Sequence, residues 1–309
     1  MIKKLALIFS AVLFAFSGFS QKQVPTDSVL MEISQKEKDS LELIEKQRLY
    51  KLNHTDFYVR RKGKFYASWG YNRTSYGLSN VRFQGKGYDF TVKDMVAKDR
   101  PSKFDPKIYF NPTLLTIPQY NLRIGYYLND KISLSISVDH MKYVMVRDQV
   151  ATVDGTIEAS ASPRWAGEYK NKVMKIEQDF LGYEHTDGLN VVFAELDYND
   201  LFFETSDRKF AVDLVAGVGL GATIPRTNAH ILDRIGEDAF HLAGGGGSAN
   251  VGLKLYFFKY LFLHPTVKAG YLVMPNIATN GLEIDKASQN VTFFQFNMTL
   301  GFQFRLTDK

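Results

Sequence analysis

The stretch Gly182-Tyr183-Glu184-His185-Thr186-Asp187-Gly188 places one imidazole between two carboxylates. A histidine near neutrality can take a proton from a hydroxyl, and a carboxylate beside it can hold the ring in the tautomer that does so. His185, with the carboxylates Asp187 and Glu195, is the catalytic candidate of the chain. A hydroxyl must then stand within hydrogen-bond reach of the base. The stretch offers only Thr186, which falls on the opposite face of an extended strand. Whether this is a site depends on where His185 points, and so on the elements that carry it.

Those elements have a period of two. Phe65, Ala67, Trp69 and Tyr71 alternate with Tyr66, Ser68, Gly70 and Asn72. Ile132, Leu134, Ile136 and Val138 alternate with Ser133, Ser135, Ser137 and Asp139, and the run Phe294 to Leu306 behaves alike. The apolar face of these runs carries no Lys or Arg, whereas the other face accepts them. At a bilayer midplane a Lys or Arg facing lipid costs about 2 to 4 kcal/mol, so the asymmetry reads as lipid on one side and a polar lumen on the other.

The expected fold is all-β: a transmembrane antiparallel barrel of about eight strands, near 64–74, 119–129, 131–143, 188–198, 209–223, 248–258, 260–273 and 291–306. Asn129-Asp130, Tyr198-Asn199-Asp200 and Phe258-Lys259-Tyr260 are the short periplasmic turns. The longer connections 75–118, 144–187, 224–247 and 274–290 are the external loops. Tyr88 to Val96 alternates weakly and reads as a hairpin inside the first loop, with ten strands as the alternative.

Composition agrees with this class. The chain of 309 residues is 45% hydrophobic and 14% aromatic, with no cysteine and a net charge of +5. The missing cysteines exclude disulfides, thiolate metal sites and a Cys nucleophile. No Lys/Arg block points to nucleic acid, and no cofactor is expected. Lys3 and Lys4 before an apolar run ending at Phe16, then Gly18 and Ser20, read as an export signal over 1–20 cleaved after Ser20. Residues 21–62 read as a charged, helical periplasmic extension, capped at Asp27 or Ser28, and 63–309 as the barrel.

An eight-stranded barrel is only wide enough for its own side chains. Arg123, Asp139, Asp213, Lys254, Lys268 and Arg305 would share that space with Tyr66, Tyr127 and Tyr256. Buried charges of opposite sign should pair, so the interior is expected to be plugged.

Other motifs yield to simpler readings. Gly217-Val218-Gly219-Leu220-Gly221-Ala222 has dinucleotide-loop spacing, but Thr223-Ile224-Pro225 follows where a helix is required. Its glycines read as small lumen-facing residues. Gly244 to Gly247 read as a flexible loop entering a strand, His264 as an inward residue beside Thr266 and Lys268, and His230, Asp233, Asp238 and His241 as a loose metal candidate without compact ligand spacing.

The last strand, Gly301-Phe302-Gln303-Phe304-Arg305-Leu306, resembles the C-terminal recognition strand of Gram-negative outer-membrane barrels, although the chain runs on through Lys309. From about residue 64 the chain resembles small outer-membrane barrels of the type common in Bacteroidetes. That resemblance implies a place among outer-membrane lipid and lipopolysaccharide. It also implies a structural role, or an accessory role in an envelope protein complex, with recognition carried by the loops. Outer-membrane lipid A deacylases are resembled only at His185, since Asp187 stands where their His-x-Ser motif has serine. Two alternatives follow: a lipid A or phospholipid acyl hydrolase using His185, and passage of small hydrophobic molecules through the barrel wall. If the strand from Asn190 extends upward unbroken, His185, Asp187 and Glu195 all face the lumen, unless Gly188 marks a bulge that flips parity.

Overall fold

The computed structural model describes residues 35–46 and 58–306, apart from 104, 110, 112, 113, 115, 116, 238, 239 and 280–284. The expected export signal and helix caps lie outside these residues. The chain divides into two units at Thr55/Asp56.

In the first unit, residues 35–46 form a helix. Gln35 bonds Asp39, and Lys46 pairs with Glu42, each at the i,i+4 spacing that supports a helix. Leu41 and Ile44 stand exposed on it.

In the second unit, eight strands close into a ring: β1 (Phe65–Tyr76), β5 (Tyr120–Tyr127), β6 (Ile132–Met145), β9 (Leu181–Glu204), β10 (Phe210–Pro225), β13 (Gly244–Phe257), β14 (Leu261–Ala278) and β15 (Lys286–Phe304). Each pairs antiparallel with its neighbours, and β15 returns to β1 with Phe304 opposite Phe65. No strand edge remains open around the ring, the condition for crossing a bilayer with strands. The start of β1, the end of β15 and three short turns share one end, the lower end. Outward positions from Phe65 to Tyr71, Ile132 to Val138, Phe210 to Ala222 and Phe294 to Phe304 are all uncharged. They include exposed Leu220, Ile136 and Leu300. Such a band, uneconomical in water, is the surface a bilayer covers. The molecule is therefore a transmembrane antiparallel barrel of eight strands.

Strand limits run beyond expectation at the upper end, because the connections there are themselves β-structure. β2 (Ser79–Gly85) continues the line of β1 along β15, and β3 (Tyr88–Met95), β7 (Val150–Ile157) and β8 (Gly167–Lys175) extend the sheet from it. β4 (Ala97–Lys98) pairs with β6. β11 (Asn228–Ile231) continues the line of β10 along β9, and β12 (Arg234–Glu237) folds back on it. The free edge of this cap, β8, carries Lys170, Lys172 and Lys175, charges that discourage pairing with another chain. In the β2–β3 hairpin Arg82 grips Asp89 through bonds of 2.8 and 2.6 Å.

That grip holds the Asp89 carboxyl below its usual pKa. Because the folded value is lowered, the pair's contribution is present above the ordinary carboxylate pKa of about 4 and is lost as pH falls through the lowered value. Amide protection across 81–92, measured relative to the intrinsic exchange rate at each pH, should therefore fall only on acidification, with no change between pH about 6 and 8.

Three expectations need correction. Gly244 to Gly247 are not a loose loop but the first residues of β13, paired with β10 throughout and with β14 from Gly245 on. A side chain at Gly244 or Gly246 would strike the backbone of β14, so the glycines permit close strand approach. The turn expected at Tyr198-Asn199-Asp200 lies further on, after Glu204, because Asn199 is an inward ladder residue. The interior is polar only in its middle and lower parts. Above them Leu189, Val191, Phe193, Leu272, Met274 and Phe293 join Phe83, Phe90 and Phe180 of the cap in one apolar core.

Candidate functional site

The barrel interior holds the densest concentration of chemically capable side chains, and it is built in layers. Lowest is an aromatic layer of Tyr58, Tyr66, Tyr127, Tyr256 and Phe262. Inward alternation places one such ring on each of β1, β5, β13 and β14. Tyr58 arrives from the segment before β1 and accepts a hydrogen bond from the Lys259 backbone, which ties it under the mouth.

The ionic layer stands above. Arg123 on β5 pairs with Glu195 and, at 3.0 Å, with Asp197, both on β9. Lys268 on β14 reaches across to Asp139 at 2.6 Å and Glu195 at 2.7 Å. Lower down, Arg61 pairs with Asp213, whose other oxygen accepts from Tyr256 at 3.1 Å. Lys254 donates to Asn199 at 2.9 Å and Tyr127 at 3.1 Å, and lies 4.3 Å over the Tyr66 ring. The cations Arg61, Arg123, Lys254 and Lys268 thus stand among the carboxylates Asp139, Asp213, Glu195 and Asp197, with a further buried cation, Lys64, at the lower end. Neutral donors take the remaining lone pairs: Asn121 bonds Asp139, Ser137 bonds Glu195 and Asn250 bonds Asp197. Charges removed from water are tolerated only when paired and further hydrogen-bonded, and this layer meets both conditions.

The fit depends on small neighbours. Gly217 and Gly219 sit directly opposite Asp197 and Glu195 in the ladder, and a Cβ at either would collide with the carboxylate side chain. The dinucleotide-like glycine spacing is thus space for two acids. A second use of glycine recurs where inward rings lie flat across an inward glycine directly opposite: Tyr66 over Gly125, Phe193 over Gly221, Phe262 over Gly301 and Phe293 over Gly270.

Of the network residues named from sequence, Arg123, Asp139, Asp213, Lys254 and Lys268 lie in these layers. Arg305 does not: β15 ends at Phe304, and the exposed guanidinium of Arg305 donates at the lower rim to the carbonyl of Lys62 at 3.0 Å. Arg61 takes the inward position beside Asp213. Sequence reasoning missed it because it precedes the first alternating run. Asp197 was missed too, although it follows Glu195 at the inward spacing of two and could have been found that way.

The three catalytic candidates are dispersed. His185 faces inward, fully buried, with Nδ1 3.0 Å from the Thr227 hydroxyl and its ring beside Tyr143 and Tyr183. Glu195 belongs to the ionic layer. Asp187 was expected to face inward; it faces outward, 3.7 Å from Arg226. The reason is a two-residue bulge around Gly188, whose φ is +138°. Opposite β6, Leu189 pairs with Met141 but His185 with Tyr143, so β9 spends two extra residues there. An even insertion leaves the parity of His185 unchanged while turning the looped-out Asp187 to the outside. The metal candidate also fails to assemble: no group of three possible ligands occurs among the described residues, and Asp238 lies outside them. His230 is a ladder residue of β11, and His241 bonds the Asn276 carbonyl.

No family model matches the chain. No curated protein matches it either. Among solved structures it is similar to the outer membrane protein OprG from Pseudomonas aeruginosa, with 12% identity over 81% of this chain and 100% of that one, at a TM-score of 0.39. It is also similar to the N-terminal β-barrel domain of OprF from the same organism (13% identity, 79% of this chain and 98% of that one, TM-score 0.30) and to Neisserial surface protein A (9%, 79% and 98%, 0.32). The barrel itself rests on this chain's own closed ladder.

Proposed function

We propose that the protein is a sealed outer-membrane barrel, exported with cleavage after Ser20, that holds a folded β-cap outside the cell. It acts structurally or as an accessory, recognition-bearing subunit of an envelope complex. The observation that carries this reading is the filling of the interior over its whole height: aromatic rings, then ion pairs, then an apolar core continuous with the cap. The gap between Arg123, Asp139, His264 and Thr266 measures about 10 Å³. That is room for roughly one water molecule, so neither ions nor solutes have a path. The folded cap of β2, β3, β7, β8, β11 and β12 is then the feature left to serve function, and ordered connections are where binding residues concentrate.

In planar bilayers the purified barrel should show no steady conductance, and after crosslinking and mild detergent it should emerge with an envelope partner. A stable open channel would end the sealed-barrel reading. Recovery of the barrel alone in every preparation would end the accessory role.

A further inference from the structure

The lipid-facing wall has one recess that the sealed interior does not explain. Across β6, β9 and β10 the outward residues are Ile136, Val192, Ala194, Leu220 and Ala222. With Leu242, on the connection into β13, they line an open apolar groove of about 480 Å³. It exists because Ala194 and Ala222 stand where other parts of the belt carry Phe, Tyr or Leu, and because the exposed Leu242 rises as one bank. A groove in this belt has hydrocarbon for surroundings, so its natural filling is an acyl chain.

The same three strands carry a polar crown directly above. One step up the outward ladder, His140 Nδ1 lies 2.7 Å from Asn190 Oδ1, and the imidazole stacks on Tyr120 at 5.0 Å and 12°. One step higher come Lys142 on β6 and Asp187 and Arg226 at the bulge, the latter two 3.7 Å apart. The Lys142 ammonium donates to the Ile117 carbonyl at 3.0 Å and, among the described residues, has no carboxylate partner within 4.0 Å. Glu184 on the same face is already paired with Arg100 at 3.1 Å. An ammonium held at the hydrocarbon boundary with only neutral acceptors, above a groove shaped for a chain, complements an amphiphile whose head is anionic.

We propose that this face of the wall is a specific binding site for the phosphorylated, acylated glycolipid of the outer leaflet, the lipid A part of lipopolysaccharide. One acyl chain lies in the groove and a phosphate sits against Lys142, near His140. The assignment to this leaflet rests on the reading above that the cap faces outward. The bulge at Gly188 then acquires a role: it turns Asp187 and Arg226 out to border the headgroup.

The test uses the full barrel refolded in detergent without lipid, given purified lipid A or phosphatidylglycerol, then passed over a sizing column and analysed by mass spectrometry for bound lipid. The intact protein should retain lipid A in preference to phosphatidylglycerol. Ala222→Phe, an outward apolar change that fills the groove, should lower retention roughly tenfold, what the lost burial of about two methylene groups amounts to. Lys142→Ala should narrow the preference for lipid A. Equal retention of both lipids, or undiminished binding by Ala222→Phe, would overturn the proposal. So would crosslinking of a protein segment in place of lipid from Leu220 in cell membranes. A conducting barrel that still selects lipid A would instead refute the sealed-barrel function while leaving this site standing.

Discussion

Arg123→Ala should destabilise the folded barrel by about 3 to 5 kcal/mol, the usual penalty for leaving buried charge without its partner. The substitution strips Glu195 and Asp197 of the guanidinium that spans them, leaving Lys268 and Ser137 to serve Glu195 and Asn250 as the direct side-chain donor to Asp197. The measurement is the urea midpoint of the barrel in lipid vesicles, supported by the temperature at which its compact form is lost on detergent gels. Arg123→Ala combined with Glu195→Gln and Asp197→Asn should recover much of the loss, because neutral amides no longer require a counter-charge. If the single change costs less than about 1 kcal/mol, water reaches these carboxylates and the interior is not sealed at this level. Arg61→Ala should show a smaller version of the same effect, since Asp213 keeps its bond from Tyr256.

A substitution with no charge should be nearly as damaging. Gly125→Leu places a side chain where the Tyr66 ring lies, and Tyr66 is itself wedged among Tyr127, Phe262 and the Lys254 ammonium. Overpacking of this kind costs typically about 1 to 3 kcal/mol, and here the ring has no free volume into which to retreat. The effect should appear as a lowered urea midpoint and slower folding into vesicles. Because the penalty is a collision between two particular residues, Tyr66→Ala in the same chain should relieve most of it. If Tyr66→Ala adds its own cost in full to that of Gly125→Leu, the ring does not need the glycine, and the pairing of rings with facing glycines has no energetic meaning.

These two expectations come from different levels of the molecule. Alternation along Phe65–Tyr71 or Phe294–Phe304 is written in each strand alone, because a residue's side of the sheet depends only on counting by two. The same count named Arg123, Asp139, Asp213, Lys254 and Lys268 as inward residues. It did not say who pairs with whom. Lys268 meets Asp139 and Glu195 across the barrel from β14 to β6 and β9, a relation set by how strands are staggered around the ring. Nor did counting find Arg61, which enters the lower mouth from a turn that has no period to read.

His185 shows the limit most clearly. Its inward direction followed from the strand below it, and survived a bulge only because that bulge inserts an even number of residues. Asp187, two positions on, sits in the inserted part and faces the other way. Nothing local distinguishes the two cases; the partner strand decides how many residues it will match.

By itself, then, the sequence determined the class of fold, the face of each regular strand, two of the three short turns at one end and the mixed charge of the interior. These are consequences of periodicity and of the cost of charge against lipid, and both act within a strand of about ten residues. Tertiary structure alone decided the ion-pair partners, the apolar core shared by upper barrel and cap, and the outward crown above a groove on β6, β9 and β10. Each of those depends on stagger between strands far apart in the chain, and on two alanines being small beside neighbours that are not. Such relations exist only once the ring has closed.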